Sequence, residues 1–358
     1  MEMKSQREIH RVSPACVIPD LAGEITAALV GTGPALGLGE VRSTSAPSKI
    51  ALVIGTSGTT GMSKEVAFTA SALLASARAS NKFLGAKAGQ QWSLFLPLTH
   101  IAAVNVIIRS MELGTLPIDL REHQGEYPKV DFTSIVPTQL FRALNSDERL
   151  LRHLQSAQAV LVGGAALSPA LSQQAVTAGI NVVETYGMTE TSGGCIYNGK
   201  AIEGVEYSLN DKSLVQIRGS VMSETYLNAP ELYTLIDGWF ITNDLGEIKD
   251  GKLHILGRAD DVIISGGENL SLTAIEATLS IRYPEIEFAA FAVNDIQWGH
   301  ALHLAVVGQI GESEIDQYLE AALGAASKPK GIHHLEQLPL LGIGKVDRSA
   351  LAKMVGNE

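Results

Sequence analysis

The sequence predicts an α/β protein in which a large layered domain carrying a β subdomain is followed by a small α+β domain. Three observations predict it. From Ile50 to about Thr185 short apolar runs alternate with helical patterns, the texture of a sheet covered by helices. After Gly193 the chain breaks into short pieces separated by Gly, Asn and Asp, as in Glu206 to Ile217, which marks a hairpin-rich β subdomain. Beyond the polar break Gly257-Arg258-Ala259-Asp260-Asp261 a strand, helix, strand, strand, helix, strand order can be drawn, close to the lower size limit of a domain. A length of 358 residues also favours two or three domains over one.

In order, the residues before position 45, with Gly31-Thr32-Gly33-Pro34 and Gly37-Leu38-Gly39, read as loop-rich. Strands follow at Ile50 to Ile54, Ser93 to Leu96, Phe132 to Ile135, Ala159 to Val162 and Asn181 to Glu184, each a short apolar run. Helices fall between them at Ala70 to Phe83, Ala102 to Leu113, Pro137 to Asn145 and Pro169 to Ala178, the last two opened by the proline that suits a first helical turn. In the small domain the expected order is Val262 to Ile264, helix Ser271 to Ile281, Glu287 to Val293, Leu302 to Val307, helix Glu312 to Leu323 and Ile332 to Leu335.

Composition excludes some functions. With 27 basic against 38 acidic residues, a general nucleic-acid or anionic-membrane surface is disfavoured, so an anionic ligand must be met by local groups. Two cysteines, Cys16 and Cys195, make neither a disulfide framework nor a zinc site and suit a reducing compartment. The charged start, Met1 to Arg11, has no apolar core of a signal, and no run supplies the ~18 apolar residues of a membrane span. The expectation is a cytoplasmic protein.

One stretch carries explicit chemistry. Thr56-Ser57-Gly58-Thr59-Thr60-Gly61-Met62-Ser63-Lys64 follows a strand-like run and combines hydroxyls, glycines and a lysine. Glycines let backbone N–H groups curl around an anion, hydroxyls donate to phosphate oxygens, and the lysine adds a point charge. The spacing is neither that of a Walker A loop nor that of a dinucleotide fold. The bland alternative is a polar loop closing a strand.

Further motifs follow: Leu96-Pro97-Leu98-Thr99-His100, Gly163-Gly164-Ala165-Ala166-Leu167, Tyr186-Gly187-Met188-Thr189-Glu190-Thr191, Gly238 to Asp244, Gly257 to Asp261, Ser265-Gly266-Gly267-Glu268-Asn269 and Gly342 to Arg348. Together and in this order they resemble the adenylate-forming superfamily of acyl-CoA synthetases, adenylation domains and luciferases, from about Lys49 to Arg348. The resemblance implies a large N-terminal domain (1–257), a hinge (258–261) and a small mobile C-terminal domain (262–358). It also implies a two-step reaction: a carboxylate attacks the α-phosphorus of ATP, expelling pyrophosphate, and a thiol then displaces AMP.

Roles carry over by position. Thr56, Ser57, Gly58, Thr59, Thr60, Gly61 and Lys64 would grip the β and γ phosphates, although Ser63 stands where the family has proline and Glu65 where it has glycine. Glu190 would bind Mg2+, its plain alternative being an acid at a helix start, and Thr189 beside it would contact ATP. Tyr186, Gly187, Gly164, Ala165 and Ala166 would flank the adenine, Asp244 would accept from the ribose hydroxyls, and Arg258 would reach the ribose or phosphates. Asn243 replaces the family's glycine. Lys345 would be the adenylation lysine, Asp260 the hinge residue, and Gly266, Gly267 and Glu268 would border the coenzyme A tunnel. Absent the motif, Lys345 reads as a solvated surface residue.

For the acid, Asn105 and Arg109 lie four apart and share one face of an apolar helix. An arginine there can simply reach solvent. At this distance from the Leu-Pro-Leu-x-His motif, however, it resembles o-succinylbenzoate-CoA ligases of menaquinone synthesis, whose substrate carries a second carboxylate suited to a guanidinium fork. His100, also a candidate catalytic residue, would line the rest of the acyl pocket with Ser192, Gly193 and Gly194; Ala102 replaces a serine common in that family. The chain's short approach to its phosphate loop also resembles short versions of that ligase, and a homodimer is one way to cover the sheet edge this leaves. Expected partners are ATP, coenzyme A and a small carboxylic acid, with no nucleic acid and no stable membrane insertion. The alternatives are another aryl or acyl-CoA ligase, a carrier-loading adenylation enzyme, or a non-catalytic nucleotide-binding relative.

Overall fold

The computed structural model describes residues 6–56, 63–295, 298–341 and 345–355, with Asp260, Asn269, Leu341 and Lys345 described by their backbone. Ser57, Gly58, Thr59, Thr60 and Gly61 of the expected phosphate loop therefore lie outside the described residues.

Two sheets organise the first part of the chain. The six-stranded one runs Thr225–Tyr226, Lys64–Thr69, Ile50–Thr56, Ala35–Leu38, Gln6–Arg11, Ser45–Pro47; the seven-stranded one runs Lys200–Ala201, Gly193–Tyr197, Val182–Met188, Ala159–Val162, Phe132–Ile135, Trp92–Leu94, Ile118–Asp119. From Val182–Met188 to Ile118–Asp119 the second sheet is parallel, and it ends in antiparallel strands on the other side. Phe132–Ile135 and Ala159–Val162 are buried at every residue, as parallel strands covered on both faces must be.

Helices Ile18–Val30, Ala70–Phe83 and Ile101–Glu112 pack on one another. The first meets Ala35–Leu38 and Ile50–Thr56, the second meets Ile50–Thr56, Lys64–Thr69 and Gly193–Tyr197, and the third meets Trp92–Leu94, Phe132–Ile135 and Gly193–Tyr197. This helical layer thus fills the space between the two sheets, and helix Ile101–Glu112 accordingly buries nearly every residue from Ile101 to Ser110.

The N-terminal segment differs from its loop-rich reading. Gln6–Arg11 and Ala35–Leu38 are paired strands, and Ile18–Val30 is a helix with proline in its first turn, ended by Gly31 at φ 80°. Of the glycines that suggest a loop, Gly31 caps the helix, Gly33 follows it and Gly37 lies within strand Ala35–Leu38. A second difference falls at the phosphate loop: Ile50–Thr56 and Lys64–Thr69 are antiparallel partners, with Thr56 opposite Lys64, so the loop joins two strands before the helix begins. A helix at Glu148–Ser156, capped by Asp147 accepting from Leu150 N, is also additional to the reading.

A five-stranded sheet follows in the order Val205–Leu209, Leu214–Gly219, Trp239–Lys249, Leu235–Ile236, with Lys252–Arg258 paired to Trp239–Lys249. By contacts the chain divides into one unit of residues 1–164, 175–208 and 216–241 and another of 165–174, 209–215 and 242–358. Lys252–Arg258, in the second unit, pairs along Trp239–Lys249 from Lys249 back to Asp244.

In the second unit, strands Glu268–Ser271, Val262–Ser265, Gly299–Val307 and Glu287–Asp295 form a sheet in that order, with Gly331–His334 alongside Gly299–Val307. Alternation splits its two cores. Phe288, Ala290, Leu302, Leu304 and Val306 pack with Ile275, Leu279, Ile315 and Leu319 of helices Leu272–Arg282 and Glu312–Leu323, whereas Ala289, Phe291 and Ala305 pack with Leu338 and Leu351.

Candidate active site

The first cluster is built on the sandwiched helices. Asn105 and Arg109 project from one face of Ile101–Glu112, and both are buried, Arg109 at 4% exposure. The solvent-seeking alternative for this arginine is therefore excluded. Arg109 Nη2 donates to the Tyr197 hydroxyl at 3.0 Å, and the guanidinium lies 5.3 Å from the centroid of Trp92. The Tyr197 hydroxyl also meets Ser80 Oγ at 2.9 Å. Among the described residues no carboxylate pairs with Arg109, and its Nε has no hydrogen-bond partner. A buried, unpaired cation is costly, and its place in the last turn of its helix offsets only a small part of that.

Ser192, Gly193 and Gly194 pass along the same face. Ser192 sits at φ 53° with its hydroxyl donating to Val221 O at 2.6 Å, while its carbonyl accepts from the Asn105 amide and from Ser76 Oγ. Gly193 has φ 85°, and a Cβ there would lie 2.7 Å from Asn105 Nδ2. The Ser192 side chain is thus committed to holding the turn, leaving Gly193 and Gly194 to supply backbone and space. The Asn105 Oδ1 atom is buried without a partner. His100, just ahead of the helix, is half-buried, and burial lowers its pKa so that it is neutral at ordinary pH.

The second cluster surrounds the paired strands Ile50–Thr56 and Lys64–Thr69. Lys64 Nζ lies 4.7 Å above the Tyr226 ring, and the Tyr226 hydroxyl donates to Glu190 Oε1 at 2.6 Å. Tyr226 is 1% exposed; desolvation, with Glu190 beside it, raises its pKa and keeps the hydroxyl a donor. Ser223 N donates to Glu190 O, and Asn228 both accepts from Glu65 N at 2.9 Å and donates to Ser63 O at 2.6 Å. Segment 223–228 therefore ties the start of strand Lys64–Thr69 to the turn that carries Glu190. Glu65, where the resemblance expects glycine, is buried and accepts from Arg42 N at 2.6 Å, Ser43 N at 3.1 Å and the Ser43 hydroxyl. Thr56 Oγ1 donates to Lys64 O at 3.3 Å across the hairpin.

Nearby, Val182–Met188 carries Tyr186 and Gly187 and runs into the turn Thr189–Thr191. A Cβ on Gly187 would fall 2.1 Å from Gly193 O, so only glycine fits there. Gly164 has φ 83° and is exposed at the end of strand Ala159–Val162, as are Ala165 and Ala166 after it. Glu190 Oε2 has no bonding partner among the described residues, so one hard oxygen is free for a divalent cation. Among the described residues no group of three or more His, Cys, Asp or Glu could hold a metal, so Glu190 alone would not complete a cation site.

In the second unit Asp244 and Arg258 face each other across paired strands, Arg258 Nη1 lying 3.5 Å from Asp244 Oδ1. Gly266 and Gly267, at φ 61° and 88°, form the two-residue turn between Val262–Ser265 and Glu268–Ser271. Asp260 lies in the 3-10 turn Ala259–Asp261. Lys345 begins the two-residue strand Lys345–Val346, paired with Leu340–Leu341.

Sequence reasoning missed Tyr197, Ser80 and Trp92 around Arg109, and Tyr226 and Asn228 at the hairpin. A signal for Ser80 existed: Ser76 and Ser80 are four apart on a helix read as apolar, and both are fully buried. Tyr226 carries no comparable signal.

Comparison with known proteins gives matches along most of the chain. The family described as AMP-binding enzyme matches residues 5–224. The probable 2-succinylbenzoate–CoA ligase of Mycobacterium tuberculosis (strain CDC 1551 / Oshkosh) is 36% identical over 333 residues, covering 86% of this chain and 85% of that protein. The 2-succinylbenzoate–CoA ligase of Lactococcus lactis is 29% identical over 329 residues, covering 85% of this chain and 71% of that protein. Wild-type E. coli MenE, solved with a bound m-phenylether-linked analogue of OSB-AMS, superposes with TM-score 0.68 at 26% identity, covering 97% of this chain and 82% of that one.

Proposed function

The chain belongs to the AMP-binding enzyme family, and from that premise we propose that it is an ATP-dependent acid–CoA ligase converting o-succinylbenzoate to o-succinylbenzoyl-CoA in menaquinone biosynthesis. Its fold is that of adenylate-forming enzymes. In the first step a carboxylate oxygen bonds to the α-phosphorus of ATP as the bond to the β-phosphate oxygen breaks, giving an acyl-adenylate and pyrophosphate. In the second the sulfur of coenzyme A bonds to the acyl carbon, its proton is lost, and AMP leaves.

The observation that carries the substrate reading is Arg109. A guanidinium buried to 4% exposure, with an unpartnered Nε and no carboxylate partner among the described residues, calls for an anion from outside the chain. A dicarboxylic acid supplies one carboxylate for activation and a second for this cation, and the relatives named above act on such an acid. Tyr197 and Trp92 fix the guanidinium plane, so a carboxylate meets a pre-oriented fork. Asn105, Gly193 and Gly194 line the pocket, and His100, kept neutral, borders it without adding a second positive charge.

In this reading Lys64 and the hydroxyls of the hairpin loop bind the leaving β and γ phosphates, Asp244 and Arg258 bind the ribose side, and Tyr186 with Gly164, Ala165 and Ala166 bind the adenine. Lys345 meets the developing charge at the α-phosphate. Glu190, oriented by Tyr226, would hold Mg2+, which when bound neutralises phosphate charge. Gly266, Gly267 and Glu268 border the coenzyme A path after a swing at Asp260. Among the described residues no helix is long and apolar enough to cross a membrane. A reducing cytoplasm suits the free cysteines, of which Cys195 is buried with its thiol pushed up to about 12.

Pyrophosphate release measured over a panel of carboxylic acids, with coenzyme A set against a carrier protein as acceptor, tests the proposal. Turnover confined to monocarboxylic acids, or to the carrier protein, would overturn it.

A further inference from the structure

Arg348 sits three residues after Lys345 and opens the helix Arg348–Val355. Its side chain is only 22% exposed and every face of the guanidinium is used. Nη2 donates to Glu276 Oε1 at 2.9 Å and Oε2 at 3.0 Å, Nε donates to Ala290 O at 2.9 Å, and Nη1 lies 3.7 Å from Asp261 Oδ2. Glu276 accepts in turn from Ala290 N at 2.8 Å. One side chain thus joins the lysine-bearing segment to helix Leu272–Arg282, to strand Glu287–Asp295 and to the turn Ala259–Asp261.

The last of these is the important one. Asp261 directly follows Asp260, the proposed hinge residue, and Thr273 Oγ1 also contacts Asp261 Oδ2 at 3.5 Å. Among the described residues the lysine segment has few other contacts. Lys345–Val346 is a two-residue strand on a two-residue partner, with Leu340 exposed; Val346 packs at the edge of the Phe291 core, and Asp347 N bonds to Pro339 O. So short a ribbon is marginal by itself.

We propose that Arg348 is a positioning residue: it latches the Lys345 segment to the exit of the hinge, so that lysine and hinge move as one rigid piece. The inference rests on the assignment of Lys345 given above. Arginine is required because a bidentate carboxylate, a carbonyl and a second carboxylate need a planar fork that lysine lacks.

The test separates the two half-reactions. For wild type, R348A, R348K, E276Q and K345A, adenylation is read as acid-dependent pyrophosphate exchange, and thioester formation is read from supplied acyl-adenylate with coenzyme A. R348A and R348K are expected to lose adenylation about 100-fold, the scale of a 1 Å misplacement, while thioester formation stays within about threefold. E276Q, which keeps a hydrogen bond to Arg348 but loses the charge, is expected to lie between them and wild type. Adenylation by R348A at the wild-type rate beside an inactive K345A overturns the latch alone. Equal loss of both half-reactions in R348K, the milder variant, also overturns it by reducing Arg348 to general support. A K345A protein that still adenylates overturns the lysine assignment and the latch with it.

Discussion

Replacing Arg109 by methionine separates a binding cation from a structural one. Methionine fills much of the same unbranched volume, so packing in the sandwiched helix changes little. The variant loses the 3.0 Å bond to Tyr197, worth about 1 kcal/mol, and is relieved of an unpaired buried charge whose desolvation costs several. The unliganded protein should therefore melt within about 3 °C of wild type or above it, since about 1 kcal/mol moves the midpoint of such a domain by roughly that amount. Substrate recognition responds in the opposite direction. A charge-assisted hydrogen bond to the second carboxylate contributes about 1.5–3 kcal/mol, or roughly 10- to 150-fold in kcat/KM. The assay is pyrophosphate release with o-succinylbenzoate and with an aromatic monocarboxylic acid. The dicarboxylic acid should lose that factor and the monocarboxylic acid should not. Equal loss on both acids, or a collapse in melting temperature with selectivity unchanged, would refute the reasoning.

Other perturbations test neighbouring parts. Y226F removes the 2.6 Å bond that orients Glu190; titrating Mg2+ dependence and the binding of Mg2+-ATP should show an affinity about tenfold weaker, and an unchanged titration would remove Tyr226 from that role. G193A forces a Cβ into the left-handed region and to 2.7 Å from Asn105, so denaturant unfolding should register a loss of about 2 kcal/mol; a neutral result would mean the turn can relax. Burial lowers the pKa of His153, which is 2% exposed and bonded to Ser93 and Pro128. Protons then favour the unfolded chain, so this stability is full above the unfolded value of about 6.5 and is lost as pH falls toward the lowered folded value. H153Q should flatten the fall in melting temperature between about pH 7 and 5, and an unchanged slope would assign that fall to other groups.

Legibility followed periodicity and spacing. Helices Ala70–Phe83, Pro137–Asn145 and Glu312–Leu323, and strands Phe132–Ile135 and Ala159–Val162, lie where their patterns put them, because each presents one clear period between strong breaks. Ile18–Val30 is obscured by the glycines behind it: Gly31 and Gly33 follow a helix end, and local composition does not distinguish a cap from a loop. Strand Lys64–Thr69 is not legible because its six residues lie directly between a polar glycine-rich stretch and the helix Ala70–Phe83, with no break to set them off. At the site, Arg109 and Asn105 were visible as polar residues on an apolar helix. Their partners were not, since Tyr197 reaches Arg109 from 88 positions away and Tyr226 reaches Glu190 from 36. Such pairs depend on sheet order, which no local pattern encodes.

The most direct test is product analysis of the purified protein with ATP, Mg2+, coenzyme A and o-succinylbenzoate. The account predicts o-succinylbenzoyl-CoA, AMP and pyrophosphate in equal amounts, all dependent on the acid. Formation of ADP, or release of AMP and pyrophosphate with no thioester made, would contradict it.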